Sequence, residues 1–191
     1  NCADYGVPQI RQRFICVGSL KEYGTFKFPD NTHGNRKKLD LFSGNKKEWI
    51  NCKEAIGDLD VPLPEDKDNL AGSKHKHLLK LIPPGENYLF FTKERGHPNP
   101  EFKWRSRYWS FLLKLSPKEP SWTIQASFSN NMGPFHWKNR FLRISEIKRI
   151  QTFPDKYKLL GDFKDQWRLV GNAVPPLLAK VISKEIKKQL F

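Results

Sequence analysis

The strongest apolar periodicity lies at the end of the chain. Leu177, Leu178, Val181, Ile182 and Ile186 share one helical face while Lys180, Lys184, Lys187 and Lys188 take the other, which predicts a terminal helix with a core-facing stripe and a solvated lysine face. Pro175-Pro176 stand where a first helical turn tolerates proline. A shorter helix is predicted over residues 145–151, where Ile147 and Ile150 lie between polar positions and Phe153-Pro154-Asp155 ends the run. Earlier, turn signals such as Pro62-Leu63-Pro64, Pro83-Pro84-Gly85 and Gly96-His97-Pro98 break the pattern every few residues. Between them residues 88–92, 108–115 and 122–126, rich in aromatic and β-branched side chains, predict strands. Residues 47–56 and 73–81 predict short helices, and residues 13–18 a buried strand closed by Gly18. The middle of the chain therefore reads as a small, irregular, mostly β module.

Composition narrows the partner. The 191 residues carry 34 Lys+Arg against 20 Asp+Glu, a formal charge of +14. That excess points to a polyanion, because each phosphate neutralised by Lys or Arg releases condensed counterions. Hydrophobic residues at 38% and aromatics at 13% supply a core, which excludes a disordered basic tail. No apolar run approaches the roughly 18 residues of a membrane span. Cys2, Cys16 and Cys52 are too few and too irregular for a disulfide framework or a zinc ribbon, which fits a reducing compartment. His75-Lys76-His77 has no cysteine or carboxylate cluster nearby, so it reads as solvated histidines and no metal is expected. The chain opens Asn1-Cys2-Ala3 without an initiator Met and reads as the interior of a longer protein.

Three separated segments carry a resemblance. Asp4-Tyr5-Gly6-Val7-Pro8-Gln9-Ile10-Arg11-Gln12-Arg13 resembles the Gln-x-Arg-x-Arg block of DNA (cytosine-5) methyltransferases, lead-in included. Arg140-Phe141-Leu142, followed by residues 146–157, is similar to the block that follows that family's target-recognition region. Gln166 through Val170, continuing into Gly171-Asn172-Ala173-Val174-Pro175-Pro176, is similar to its last block. The three stand in the family's order, and the resemblance covers nearly the whole chain but only the family's C-terminal half.

The resemblance implies an α+β chain in three parts. Residues 1–20 would end a Rossmann-like S-adenosylmethionine domain, residues 21–160 would form the target-recognition domain, and residues 161–191 would return to the catalytic domain as a helix. It implies S-adenosylmethionine as cofactor, double-stranded DNA as partner, and a bacterial, cytoplasmic, nucleoid-associated setting of restriction and modification. The family's chemistry needs a thiolate that attacks cytosine C6. No cysteine here follows a proline, so no catalytic residue is expected in this chain, which would need an N-terminal half on the same chain or on another subunit. The alternative is a non-catalytic DNA-binding module, or one subunit of a split enzyme.

Individual residues follow. In Gln9-x-Arg11-x-Arg13 the alternate spacing puts both guanidiniums on one face of an extended segment, where each can hold a phosphate or a carboxylate; the plain alternative is a surface pair ending a strand. The resemblance makes Gln9, Arg11 and Arg13 supports of the nucleophile loop, with the arginines also on the DNA backbone. It makes Asn172, Ala173 and Val174 cofactor contacts, ahead of a helix N-terminus. Lys103-Trp104-Arg105-Ser106-Arg107-Tyr108-Trp109 interleaves cations with aromatics, and residues 125–133 form a polar loop. Arg can pair with guanine, and Gln or Asn with adenine, in a major groove, so Arg105, Arg107, Gln125 and Asn130 are expected at the bases. Lysines more often position on phosphate, as expected of Lys138, and Lys103, Ser127 and Arg140 complete the expected DNA contacts. Where the family has a Thr-x-x-Glu box this chain has Arg143-Ile144-Ser145-Glu146, so Ser145 is expected to cap one step later and Arg143 to add a cation near the DNA.

Overall fold

A computed structural model of the chain describes residues 1–39, 44–67 and 71–191. The fold is mixed α and β. Its four strands have two residues each and form two parallel pairs, β1 (Gln9–Ile10) with β4 (Ser121–Trp122) and β2 (His33–Gly34) with β3 (Lys47–Glu48). Among the described residues there are five α-helices: α1 (Cys52–Ile56), α2 (Lys76–Leu81), α3 (Ile144–Ile150), α4 (Phe163–Asn172) and α5 (Pro176–Leu190).

Helix boundaries are set by side chains that satisfy the first free N–H groups. Helix α1 starts at Cys52 rather than at residue 47 because Asn51 and Glu54 form a reciprocal capping box, each side chain accepting the other's backbone N–H at 2.9 Å. The residues ahead of it pair as β3 instead. In α4 the Asp162 carboxylate accepts from Asp165 N at 2.8 Å. Helix α3 begins one residue before the expected start: Glu146 accepts from Arg143 N at 2.8 Å, so the box is closed from its acidic end and Ser145 is not the cap.

The expected strands of the middle region are mostly absent. Residues Tyr88–Phe91 form a 3-10 turn, because Asn87 accepts from Leu89 N at 3.0 Å and Thr92 donates back to Leu89 O at 2.8 Å. Residues 108–115 fold as successive turns with Leu112 at φ 51°, and join residues 132 and 135 through two isolated bridges only. The predicted strand at 122–126 keeps Trp122 alone. Residues 13–18 form no strand and pair with none among the described residues; Ile15 and Val17 are half-buried while Phe14 is 94% exposed. The expectation of a mostly β middle is thus corrected: close-set Gly, Pro and Asn residues let the backbone bond locally instead of along ladders.

Three apolar clusters hold these pieces. Leu79, Tyr88, Phe91, Leu112 and Phe135 belong to the first, beneath residues 103–109. Ile56, Ile124, Leu142, Ile147, Ile150, Trp167 and Val170 join α1, α3 and α4 in the second. Cys2, Val7, Leu178 and Ile182 seat α5 on the N-terminal segment in the third. The stripe predicted for α5 therefore faces the core through Leu178 and Ile182, and its lysines at 180, 184, 187 and 188 are exposed.

Candidate functional site

Gln9 and Arg11 sit at the junction of three elements. Gln9 lies in β1, and its Oε1 accepts from Ile124 N at 3.1 Å. Arg11 Nη1 donates to Ile124 O at 2.8 Å and Nη2 to Gly171 O at 2.6 Å. The guanidinium thus fills the C-terminal end of α4, where free carbonyls and the helix dipole both favour a cation. Trp167 Nε1 donates to Gln125 O at 2.8 Å beside it, and Gln151 Nε2 to Val170 O at 2.9 Å. A Cβ on Gly171 would stand 2.6 Å from Gln125 O, so only glycine lets α4 approach this closely. Arg11 is 3% exposed, and both of its terminal nitrogens end on backbone carbonyls. Arg13 is exposed and bonds only the neighbouring Gln12 O, so the two arginines do not act from one face.

A second group of charges is also internal. Arg140, 3% exposed, donates to both oxygens of the fully buried Glu146 at 2.9 and 2.7 Å. Arg143 grips Asp66 at 2.6 and 3.2 Å and donates to Leu59 O at 2.8 Å. These pairs, with Asp60 held by Trp137 Nε1 and Lys138 Nζ at 3.0 Å each, tie residues 59–66 to α3. Burial pushes Asp66 upward, but the Arg143 hydrogen bonds win and hold it below the usual carboxylate range. His136 is buried in the same knot, and burial followed by the Arg140 charge lowers it to about 3, so it is neutral. Arg140 and Arg143 are ion-pair partners within this knot, and Lys138, though half exposed, is paired with Asp60.

The remaining DNA candidates are on the surface. Lys103, Arg105, Arg107, Gln125, Ser127 and Asn130 are all exposed. Their two segments are adjacent: Leu112 N donates to Asn131 O at 2.9 Å and Gly133 N to Ser110 O at 2.8 Å, while the Trp109 and Trp122 rings meet edge to face at 5.7 Å. His75 is not solvated as expected; it packs edge-on to Phe111 at 5.2 Å, with Nδ1 3.3 Å from Asn131 Oδ1.

Asn172 and Val174 are exposed at the joint between α4 and α5, with Ala173 half-buried between them. Asn172 ends α4 rather than preceding α5, and the first-turn N–H of Leu177 in α5 already donates to Thr152 Oγ1 at 3.0 Å. What this joint can offer a cofactor is one exposed amide and one apolar contact, a single wall. The largest cleft among the described residues lies elsewhere, between Tyr5, Thr32, His33, Lys47, Leu177 and Val181. Cys2 and Cys52 are buried, and burial raises both thiols.

Sequence reasoning missed Glu146, Asp60 and Asp66, which decide where the arginines point. The spacing of Glu146 three residues after Arg143 was the one available signal. Gly171 was quoted as part of a motif without its packing role.

Exposed arginines, tryptophans and amides thus stand together on a scaffold braced by buried arginines. The chain belongs to the C-5 cytosine-specific DNA methylase family, which it matches over residues 1–188. It is 40% identical to the Type II methyltransferase M.SacI of Streptomyces achromogenes, over 98% of this chain and 50% of that protein. It is 32% identical to M.BbvI of Brevibacillus brevis over 97% of this chain and 46% of that protein, and 31% identical to M.MthTI of Methanothermobacter thermautotrophicus over 100% and 55%. The chain spans about half the length of the curated relatives it matches. Among the described residues no helix is long and apolar enough to cross a membrane.

Proposed function

We propose that this chain is the C-terminal, DNA-reading portion of a DNA (cytosine-5) methyltransferase of a bacterial restriction-modification system. The observation that carries the reading is a family match over residues 1–188 in a chain half the length of its relatives, whose base-reading candidates are all exposed. Arg105 and Arg107 offer forks for guanine, Gln125 and Asn130 amides for adenine, and Lys103 and Ser127 flank them. Gln9 and Arg11 act behind this surface, fixing Ile124 and the end of α4 so that Gln125 starts from a rigid point.

S-adenosylmethionine would supply the methyl group, with Asn172 and Val174 as one edge of its pocket. The nucleophile and the other walls belong to the N-terminal half, since Cys2 and Cys52 are buried and their thiols raised. Segment 13–18, unpaired among the described residues and with Phe14 exposed, supports a further sheet against which this portion docks. Packing of α5 on the N-terminal segment supports the assignment of 1–20 and 161–191 to that catalytic body.

The test is methyl transfer from labelled S-adenosylmethionine to duplexes of mixed sequence. The chain alone is expected to be silent, and the chain reassembled with its N-terminal half active. Arg105→Ala and Gln125→Ala in that assembly should each relax preference at one base pair by about 1–3 kcal/mol of discrimination. Unchanged preference in both would remove residues 105–130 from base reading. Incorporation by the chain alone, surviving replacement of all three cysteines, would end the reading as a whole. The rival, a binding module without activity, is selected if the reassembled protein binds DNA and transfers nothing.

A further inference from the structure

The recognition surface contains a cavity that groove reading does not use. Tyr88, Leu89, Arg95, Trp104, Arg105, Arg107 and Trp109 line a space of about 510 Å³. Its floor is buried and rigid: Tyr88 is 1% exposed, with its hydroxyl donating to Arg107 O at 2.8 Å and accepting from Arg107 N at 3.1 Å. Its walls are flat. Trp104 and Trp109 keep 40% and 49% of their surface exposed, a large apolar area for a folded chain to leave to water. The rim is cationic. Arg95 is anchored to Glu86 at 2.7 Å, Arg105 lies 5.8 Å from the Trp104 ring, and Arg107 lies 5.8 Å from the Phe111 ring. Neither Arg105 nor Arg107 has a carboxylate within salt-bridge distance among the described residues. The turn that presents them is strained: Ser106 N and Oγ both reach Lys103 O, at 3.2 and 2.7 Å, and this holds Arg105 at φ 53°.

Resting on the reading that this portion binds duplex DNA, we propose that the cavity takes the base of one unstacked nucleotide, with its ring against Trp104 and Trp109 and a flanking phosphate toward the guanidinium rim. Flat indole walls select a planar π-system, and the guanidinium rim selects an anion; a nucleotide joins the two. The Tyr88 hydroxyl gives its one donor to Arg107 O, so it has none for a base edge, and stacking on indole holds a base without choosing among the four.

The 191-residue chain is titrated with three probes at one salt concentration: a paired 20-base-pair duplex, the same duplex carrying a single unpaired thymine, and hexathymidine. Tryptophan emission and anisotropy are read together. The bulged duplex should bind about tenfold more tightly than the paired one and quench tryptophan emission, within the range of one stacked base. Hexathymidine should quench it as well. Trp104→Leu and Trp109→Leu should each bring the ratio of bulged to paired affinity close to one. Arg105→Gly is the second variant, since glycine accepts the positive φ and keeps the turn; it should reduce the ratio without lowering the melting midpoint. Equal affinity for both duplexes without quenching overturns the cavity proposal and leaves the duplex reading intact. So does a ratio that survives the tryptophan changes. Binding to neither duplex overturns both, and quenching by hexathymidine alone reassigns the surface to single strands.

Discussion

Replacing Gly171 by alanine sets two effects of opposite sign against each other. In an unhindered helix the change stabilises by about 0.8–1 kcal/mol, because glycine loses more backbone freedom on folding. At this position the new Cβ would stand 2.6 Å from Gln125 O and 2.7 Å from Ala126 Cα, and neither is a side-chain end that can swing aside. Helix α4 has to retreat from residues 124–126. That movement stretches the Arg11 bond to Gly171 O (2.6 Å) and the Trp167 bond to Gln125 O (2.8 Å). Overpacking costs about 1–3 kcal/mol and the two weakened bonds about 1–2 kcal/mol more, so the net loss is about 1–4 kcal/mol after the propensity gain. For a chain of this size the melting midpoint should fall by about 2–16 °C. Thermal melting followed by circular dichroism measures it, with Gly57→Ala as control. There the nearest atom to the new Cβ is Lys53 Cγ at 3.3 Å, in a flexible side chain, and the midpoint should stay within about 2 °C of the parent. A Gly171→Ala midpoint at or above the parent would refute the reasoning, because helix propensity alone would then govern the site.

The buried ion pair gives a second expectation: Glu146→Gln leaves the Arg140 charge without its carboxylate and should cost about 3–5 kcal/mol in urea unfolding, whereas Arg140→Met with Glu146→Leu should recover most of it. His136 is lowered to about 3 in the fold against about 6.5 when unfolded, so the unfolded chain binds the extra proton between those values. The stability from keeping it neutral is complete above pH 6.5 and drains away as the pH falls, and His136→Asn should flatten the urea midpoint between pH 6.5 and 4.5; parallel curves would count against it. Lys114 is 2% exposed and burial lowers its ammonium to about 8, so its penalty is present below pH 8 and relieved as the pH rises toward 10.5. Lys114→Met should remove that rise, and an unaltered rise would show that Lys114 is not its source.

Local pattern located α1, α2, α3 and α5, while α4 (Phe163–Asn172) was not predicted from it. The stripe of α5, the Ile147 and Ile150 spacing of α3 and the residues that cap α1 act within four positions of one another, and that is the range over which a helix is decided. The motif order also indicated the family before any fold was seen, and the family match bears that out. The strand-like runs at 88–92 and 108–115 conveyed burial rather than conformation: aromatic and aliphatic residues pack equally well in a 3-10 turn when Asn87 caps it or in turns bent at Leu112. The arginines show the limit most directly. Arg11, Arg105 and Arg140 are the same side chain, but Arg11 ends on carbonyls 113 and 160 residues away, Arg140 ends on a buried carboxylate, and Arg105 faces solvent beside a tryptophan. Which of them is left to solvent was decided by what the tertiary fold brought within 3 Å. A cation binds the nearest desolvated acceptor, and sequence spacing carries no record of distances set by long-range packing.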